Sequence, residues 1–398
     1  MDKIDVVREV KELKTQLAYS KNIGFFFGAG TSCALNIPNI EMLTQEIEKR
    51  LKDDNLKNFK IIKDDLSASS SGKVNIEDIL NQIRRIREIT KEDKTKEFLN
   101  VSGEAAKTLD KEICGLIYEI ILEGEDKADF TNPKKFFAWL NILSREFSKE
   151  VFTTNYDLII EKALEASQIP FFDGFVGSYE PFFWQESIDQ IVHDHDMTKN
   201  WIRLWKIHGS LSWFWKHGPG GVSQRIIRAG KFDNARVADN ELVIYPSKEK
   251  YDSSRKQPFV AYFDRLKNYL LNGELLFIFT GYSFCDQHIN EVIFNCLRQN
   301  NRLFCVVFFF QDAEVENIKG LASSYMNLNV FGPTKAIVNG TLGEWEFKKD
   351  DLKDNEKDKI GLYWDETSKK FKLGDFNKLV SFLIAFSGKS ELLDLPLK

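Results

Sequence analysis

The chain has 398 residues, 43% hydrophobic and 29% charged, a balance that supports a large buried core and excludes collagen, coiled coil and wholesale disorder. At ~150 residues per domain this length allows two or three domains, or one α/β core with insertions. The formal net charge of −5, from 55 Lys and Arg against 60 Asp and Glu, offers no global positive field, so direct nucleic-acid binding is not expected.

Met1 to Leu17 sets Ile4, Val7, Val10 and Leu13 at helical spacing among charges, which predicts a short amphipathic helix rather than a signal peptide. Ile23 to Phe27 then reads as a buried strand running into Gly28-Ala29-Gly30-Thr31-Ser32, with a helix carried by Met42, Ile47 and Leu51. The stretch 55–150 is rich in Lys, Glu, Ile and Leu at helical spacing, broken at Ser67 to Gly72, and reads as a helical insertion. Within it, Arg84-Arg85-Ile86-Arg87 reads as an exposed helical face. Val151 to Thr154 is a second strand, leading into Asn155-Tyr156-Asp157 and a helix from Leu158 to Ala166. His193-Asp194-His195-Asp196 reads as a solvated polar loop, and Leu204 to Ile207 as a strand ending at His208-Gly209.

A small β or irregular module spans 211–264 and includes a strand-like Leu242 to Tyr245. Leu275 to Thr280 feeds the Gly281-Tyr282-Ser283 turn, and Leu303 to Phe310 is expected as the last central strand. The longest apolar runs fall far below the ~18 residues of a membrane span, so no membrane segment is expected. From about residue 336 the pattern changes, ending in a helix from Phe376 to Phe386. We therefore expect a main unit over 1–335 and an appended C-terminal element over 336–398. Continuous Val, Ile and Phe runs followed by helical patterns predict an α/β fold with a doubly wound, mostly parallel, Rossmann-like sheet.

Several strand ends carry residues able to do chemistry. Gly28-Ala29-Gly30 lets backbone approach a phosphate, although Cys33 occupies the third glycine position of a full dinucleotide fingerprint. Asn155 and Asp157 either cap the next helix or face a ligand crevice, and His208 is structural or a base. Gly281, Ser283 and Asp286 serve either a ribose or phosphate, or a turn followed by a helix cap. The five cysteines, Cys33, Cys114, Cys285, Cys296 and Cys305, contain no C-x-x-C pair and suit a reducing cytoplasm.

Taken in order, Gly28-Ala29-Gly30-Thr31-Ser32 with Ile37-Pro38, Thr153-Thr154-Asn155-Tyr156-Asp157, His208-Gly209 and Gly281-Tyr282-Ser283-Phe284 resemble the sirtuin series G-A-G-x-S with I-P, T-Q-N-x-D, H-G and G-T-S. The departures point within that group. Asn39-Ile40-Glu41 replaces the deacylase Asp-Phe-Arg, Thr154 replaces a ribose-contacting Gln, and 211–264 holds no cysteine where sirtuins carry a zinc module. The sequence Ile244-Tyr245-Pro246-Ser247, with Gly281 to Asp286 and Ile289-Asn290, looks like sirtuin-like NAD-consuming proteins of bacterial antiphage defence, in particular the subunit that works beside a HerA-type ATPase.

The resemblance implies NAD as substrate, no zinc or other metal, a cytoplasmic homo-oligomer and a HerA-type ATPase partner. It implies Asn155 and His208 as catalytic residues, with Asn155 on the nicotinamide ribose and water and His208 as general base. Gly28, Ala29, Gly30, Thr31, Ser32, Asp157, Gly281 and Ser283 would bind NAD, with Asp157 on the carboxamide. The implied reaction is hydrolysis of NAD to nicotinamide and ADP-ribose, depleting cellular NAD. The alternatives are a sirtuin-type deacylase or ADP-ribosyltransferase, and a non-catalytic NAD-binding assembly module.

Overall fold

The computed structural model describes residues 2–69, 73–188, 200–217, 224–230, 241–244, 257–348 and 357–386. The His193 to Asp196 motif and most of 211–264 lie outside them.

A ten-stranded, mostly parallel sheet organises the molecule. From one edge its strands are Asp2–Asp5, Thr341–Glu346, Lys335–Val338, Leu328–Phe331, Leu303–Phe308, Leu275–Thr280, Ile23–Phe27, Glu150–Thr153, Ile202–Lys206 and Phe171–Phe172. The seven from Leu328–Phe331 to Phe171–Phe172 run parallel, and Lys335–Val338 is antiparallel to both neighbours. Buried Phe and Val line both faces because helices cover both. Val6–Tyr19, Thr131–Ile142, Ile159–Ala166 and Phe376–Phe386 contribute buried side chains to one core. Phe259–Leu271, Gln287–Gln299 and Asp312–Ala322 contribute to the other. This is the doubly wound α/β arrangement.

Within 55–150 the helices Ile76–Thr90 and Gly103–Glu125 build a third core with Ile40–Arg50 and Asp53–Ser69. Arg84 and Arg87 are turned inward here, against the expectation of an exposed face. Arg87 pairs with the buried carboxylate of Asp110 at 2.5 Å and with Glu92 at 2.6 Å, while Arg84 lies 3.5 Å from Asp110. A second sheet of five short strands includes Gly209–His217, Gln224–Arg228 and Glu241–Ile244, the last overlapping the strand expected at 242–245.

Two other expectations are corrected. Residues 2–5 are a strand, not the start of a helix, because the Asp5 carboxylate accepts from the Val7 amide at 3.0 Å and begins the helix at Val6. Ile4 and its neighbours pair instead with Gly343–Glu346. Leu303–Phe308 is not the last central strand, since Leu328–Phe331 pairs parallel beyond it and is itself inside the sheet. That strand is short and interrupted by the buried Asn329, so it carries no apolar run to announce itself. Trp345 and Trp364 pack in the core. Among the described residues no helix is long and apolar enough to cross a membrane.

Candidate active site

The chain runs from Ile23–Phe27 to Glu150–Thr153 on one side, and later returns to place Leu275–Thr280 on the other. The carboxyl ends of Ile23–Phe27 and Leu275–Thr280 therefore flank a topological switch point, where open α/β sheets form ligand crevices. The glycines are needed there for close approach. The Gly28 and Gly30 amides donate to the Thr280 and Gly281 carbonyls at 3.0 and 2.9 Å. A Cβ on Gly28 would lie 2.5 Å from the Tyr282 Cα, one on Gly30 would lie 2.6 Å from the Gly281 Cα, and Gly281 has φ +65°. These amides, with that of Thr31 on the Gly28 carbonyl at 3.0 Å, are engaged within the protein. Ala29 and Gly30 present the exposed face of the turn.

Asn155, at the end of the neighbouring strand, reaches back into this turn. Its Nδ2 donates to the Gly28 carbonyl at 3.0 Å, Thr31 Oγ1 at 3.0 Å and Ser32 Oγ at 2.8 Å. Thr31 spends its hydroxyl hydrogen on the Gly28 carbonyl at 2.8 Å, and Ser32 spends its own on Asp157 Oδ2 at 2.7 Å. Both hydroxyl oxygens thus require a donor, which orients the Asn155 amide and leaves Oδ1 as its acceptor for the cavity. Asn155 caps no helix. The helix Ile159–Ala166 has Leu158 at its N-cap with no side-chain cap bond; Asp157, one residue earlier, accepts from the Ile159 amide at 3.2 Å, while the buried ammonium of Lys206 donates to its carbonyl and to Glu161 Oε1 at 2.8 Å.

His208 follows the Ile202–Lys206 strand and is largely buried, with Nε2 3.0 Å from Asp286 Oδ2. Burial alone would lower the imidazole pKa, but the Asp286 hydrogen bond, the Glu77 charge and the Asp286 charge outweigh it and raise the value. Burial would raise Asp286, yet its hydrogen bond and charge interaction with His208 hold it below its ordinary value. An ionised Asp286 only accepts, so Nε2 carries the hydrogen and Nδ1 holds the lone pair of the neutral ring. Asp286 also caps the helix Gln287–Gln299 through Oδ1, 3.1 Å from the Ile289 amide. Of the two sequence readings of Asp286, the helix cap is observed, and the same carboxylate also meets His208. Asn290 braces the turn, donating to the Phe284 carbonyl at 2.8 Å and accepting from the Tyr282 hydroxyl at 2.9 Å.

These residues surround a cavity of about 1320 Å³. Ala29, Gly30, Ser32, Asn155, Asp157, His208, Gly281 and Ser283 line it, with Gly28 and Thr31 behind the wall. Sequence reasoning missed the contributions of Asn75, Glu77 and Asn81 from the insertion and of Gly374 to Asn377 from the C-terminal segment. No motif or spacing signals these, because distant chain segments bring them in. Among the described residues no three His, Cys, Asp or Glu side chains gather as a metal-binding group.

Curated proteins yield no match to this chain. Among solved structures, a Sir2 homologue in complex with NAD is 13% identical, covering 75% of this chain and 81% of its own with a TM-score of 0.35. A mutant Sir2 homologue in complex with 2′-O-acetyl ADP-ribose is 12% identical, covering 75% and 84% with a TM-score of 0.36. Residues 149–328, which hold Asn155, Asp157, His208, Gly281, Ser283 and Asp286, match the SIR2-like domain family. Over that segment, somewhat under half of the chain, this mixed α/β protein is similar to SIR2-like domains.

Proposed function

We propose that this protein hydrolyses NAD at the nicotinamide–ribose bond, releasing nicotinamide and ADP-ribose. The observation that carries the reading is that Asn155 and the Asp286-braced His208 face one dinucleotide-sized cavity beside the glycine turn. The SIR2-like domain supports NAD as the ligand. Breaking the C1′–N bond builds oxocarbenium character on the ribose, the electronic problem of other glycosidic cleavages. In this reading Asn155 Oδ1 accepts a hydrogen from water or a ribose hydroxyl and fixes it near C1′. The water oxygen forms the new bond to C1′, nicotinamide leaves with the electron pair of the old one, and His208 Nδ1 takes the proton. Ala29, Gly30 and Ser32 border the pyrophosphate, Ser283 the adenosine ribose, and Asp157 the carboxamide.

Water rather than an acyl-lysine oxygen is the nucleophile because the deacylase Asp-Phe-Arg is replaced by Asn39-Ile40-Glu41. Asn39 instead caps the helix Ile40–Arg50, accepting from the Met42 amide at 2.9 Å. Depletion of NAD in antiphage defence, by a homo-oligomer working with a HerA-type ATPase, is the biological setting we propose from the motif resemblance. The test is nicotinamide release from NAD by the purified chain, with and without an acetylated peptide and with and without such an ATPase. Release independent of peptide supports hydrolysis. Peptide-dependent O-acetyl-ADP-ribose would make it a deacylase, and NAD binding without release in any arm would make it an assembly module.

A further inference from the structure

The C-terminal segment, outside the SIR2-like match, supplies one wall of the cavity through Gly374 to Asn377. The start of its final helix is fixed by contacts to the sheet and its neighbouring helices. Gly374 lies so close to the Leu303–Phe308 strand end that a Cβ would overlap the Phe309 carbonyl and sit 3.0 Å from the Phe310 Cα. Asp375 Oδ1 accepts from the Asn377 amide at 2.8 Å and the Lys378 amide at 3.3 Å. The Phe376 ring packs on Phe27 and Phe136, with centroids 5.5 and 6.0 Å away.

From this seat the Asn377 side chain bridges two elements. Its Oδ1 accepts from Asn132 Nδ2 at 2.8 Å, which orients the amide, and its Nδ2 donates to the Ala34 carbonyl at 3.3 Å. Ala34 opens the loop between the glycine turn and the helix Ile40–Arg50, and Ala34, Ile37, Pro38 and Asn39 line the cavity. Within the loop the Leu35 and Ile37 amides return to the Ser32 carbonyl, at 2.9 and 3.1 Å. Holding Ala34 therefore also holds Ser32, the partner of both Asn155 and Asp157.

We infer that Asn377 is a positioning residue for NAD, fixing the loop 34–39 against the start of the C-terminal helix so that the cavity is preformed. The inference rests on the NAD reading above. The test compares the intact protein with Asn377→Leu, which removes both bonds without adding charge, and Asn132→Ala, which keeps the Ala34 bond. Two quantities are read: steady-state nicotinamide release, and iodoacetamide alkylation of the half-buried Cys33, followed by mass spectrometry and scaled to its alkylation in the denatured protein. Alkylation is run with and without NAD.

Loss of one such hydrogen bond is expected to raise KM for NAD by ~3- to 10-fold with kcat nearly unchanged, the pattern of lost uniform binding. Cys33, next to Ala34, should alkylate faster in Asn377→Leu, and Asn132→Ala should move both quantities less. Wild-type KM and Cys33 reactivity in Asn377→Leu would overturn the inference. So would equal shifts in the two variants with a matching fall in thermal midpoint, which would mark helix packing alone. If the unaltered protein neither releases nicotinamide nor has Cys33 protected by NAD, the NAD reading itself fails, while the alkylation arm still decides whether Asn377 holds the loop.

Discussion

His208 and Asp286 meet through one hydrogen bond, and their opposite pKa shifts give a pH signature. The imidazole value is raised from 6.5, so the pair stabilises the fold fully below that ordinary value and loses the contribution as pH rises through the higher folded value. At the acid end the contribution is present above the ordinary carboxyl value of 3.8 and is lost as pH falls through the lowered value of Asp286. As a base His208 must be neutral, so nicotinamide release should fall on the acid side with an apparent pKa above 6.5. Asp286→Asn removes the carboxylate whose hydrogen bond and charge raise His208, leaving the Glu77 charge and a good N-cap. Its acid limb should move to lower pH, with little change in thermal midpoint above the folded His208 value, where the pair no longer contributes, and a fall below it. An unmoved pH–rate profile would remove Asp286 from the proposed role.

His208→Ala should lower nicotinamide release by ~100- to 10,000-fold while the protein stays folded. Asn155→Ala should lose activity to a similar degree and also stability, by ~1–3 kcal/mol, because it strips the donor from buried oxygens of Gly28, Thr31 and Ser32. Turnover measured beside chemical denaturation separates the two patterns. Normal hydrolysis by folded His208→Ala would sink the mechanism.

At the scale of elements, the site depends on two turns interlocking through glycine backbones. Gly281 has φ +65° and its would-be Cβ lies 2.8 Å from the Gly30 Cα, so Gly281→Ala should strain the turn and push the two strand ends apart. We expect a lowered thermal midpoint together with a raised KM for NAD, checked by thermal unfolding and steady-state kinetics. Strand–turn–helix units such as Ile23 to Ser32 and Val151 to Ala166 are legible in the sequence because a short apolar run that stops at Gly or Asn and gives way to helical spacing matches a buried parallel strand feeding a helix. Asp2–Asp5 and Leu328–Phe331 are not, since their pairing partners and not their own composition hold them in the sheet. The inward turn of Arg84 and Arg87 is illegible for a related reason. It depends on Asp110, which lies on a different helix.

For the whole molecule, the sequence departures from sirtuin deacylases lead us to expect no stoichiometric zinc by elemental analysis of the purified protein, and a homo-oligomer by light scattering. A monodisperse monomer, unchanged by a HerA-type ATPase, would count against the assembly we propose. Trp345 and Trp364, at 8% and 4% exposure, pack internally, so any interface draws on other residues. By itself the sequence determined the α/β class, the strands that carry Asn155, His208 and the glycine turns, and the order of those motifs, because apolar periodicity and turn chemistry are local properties of the chain. Only the tertiary structure decided that Asn155 reaches back to the Gly28 turn, that Asp286 meets His208, and that the insertion and C-terminal helix wall the cavity. Those are contacts between residues tens to hundreds of positions apart, set by strand order and helix packing, and no local pattern encodes which distant side chain arrives.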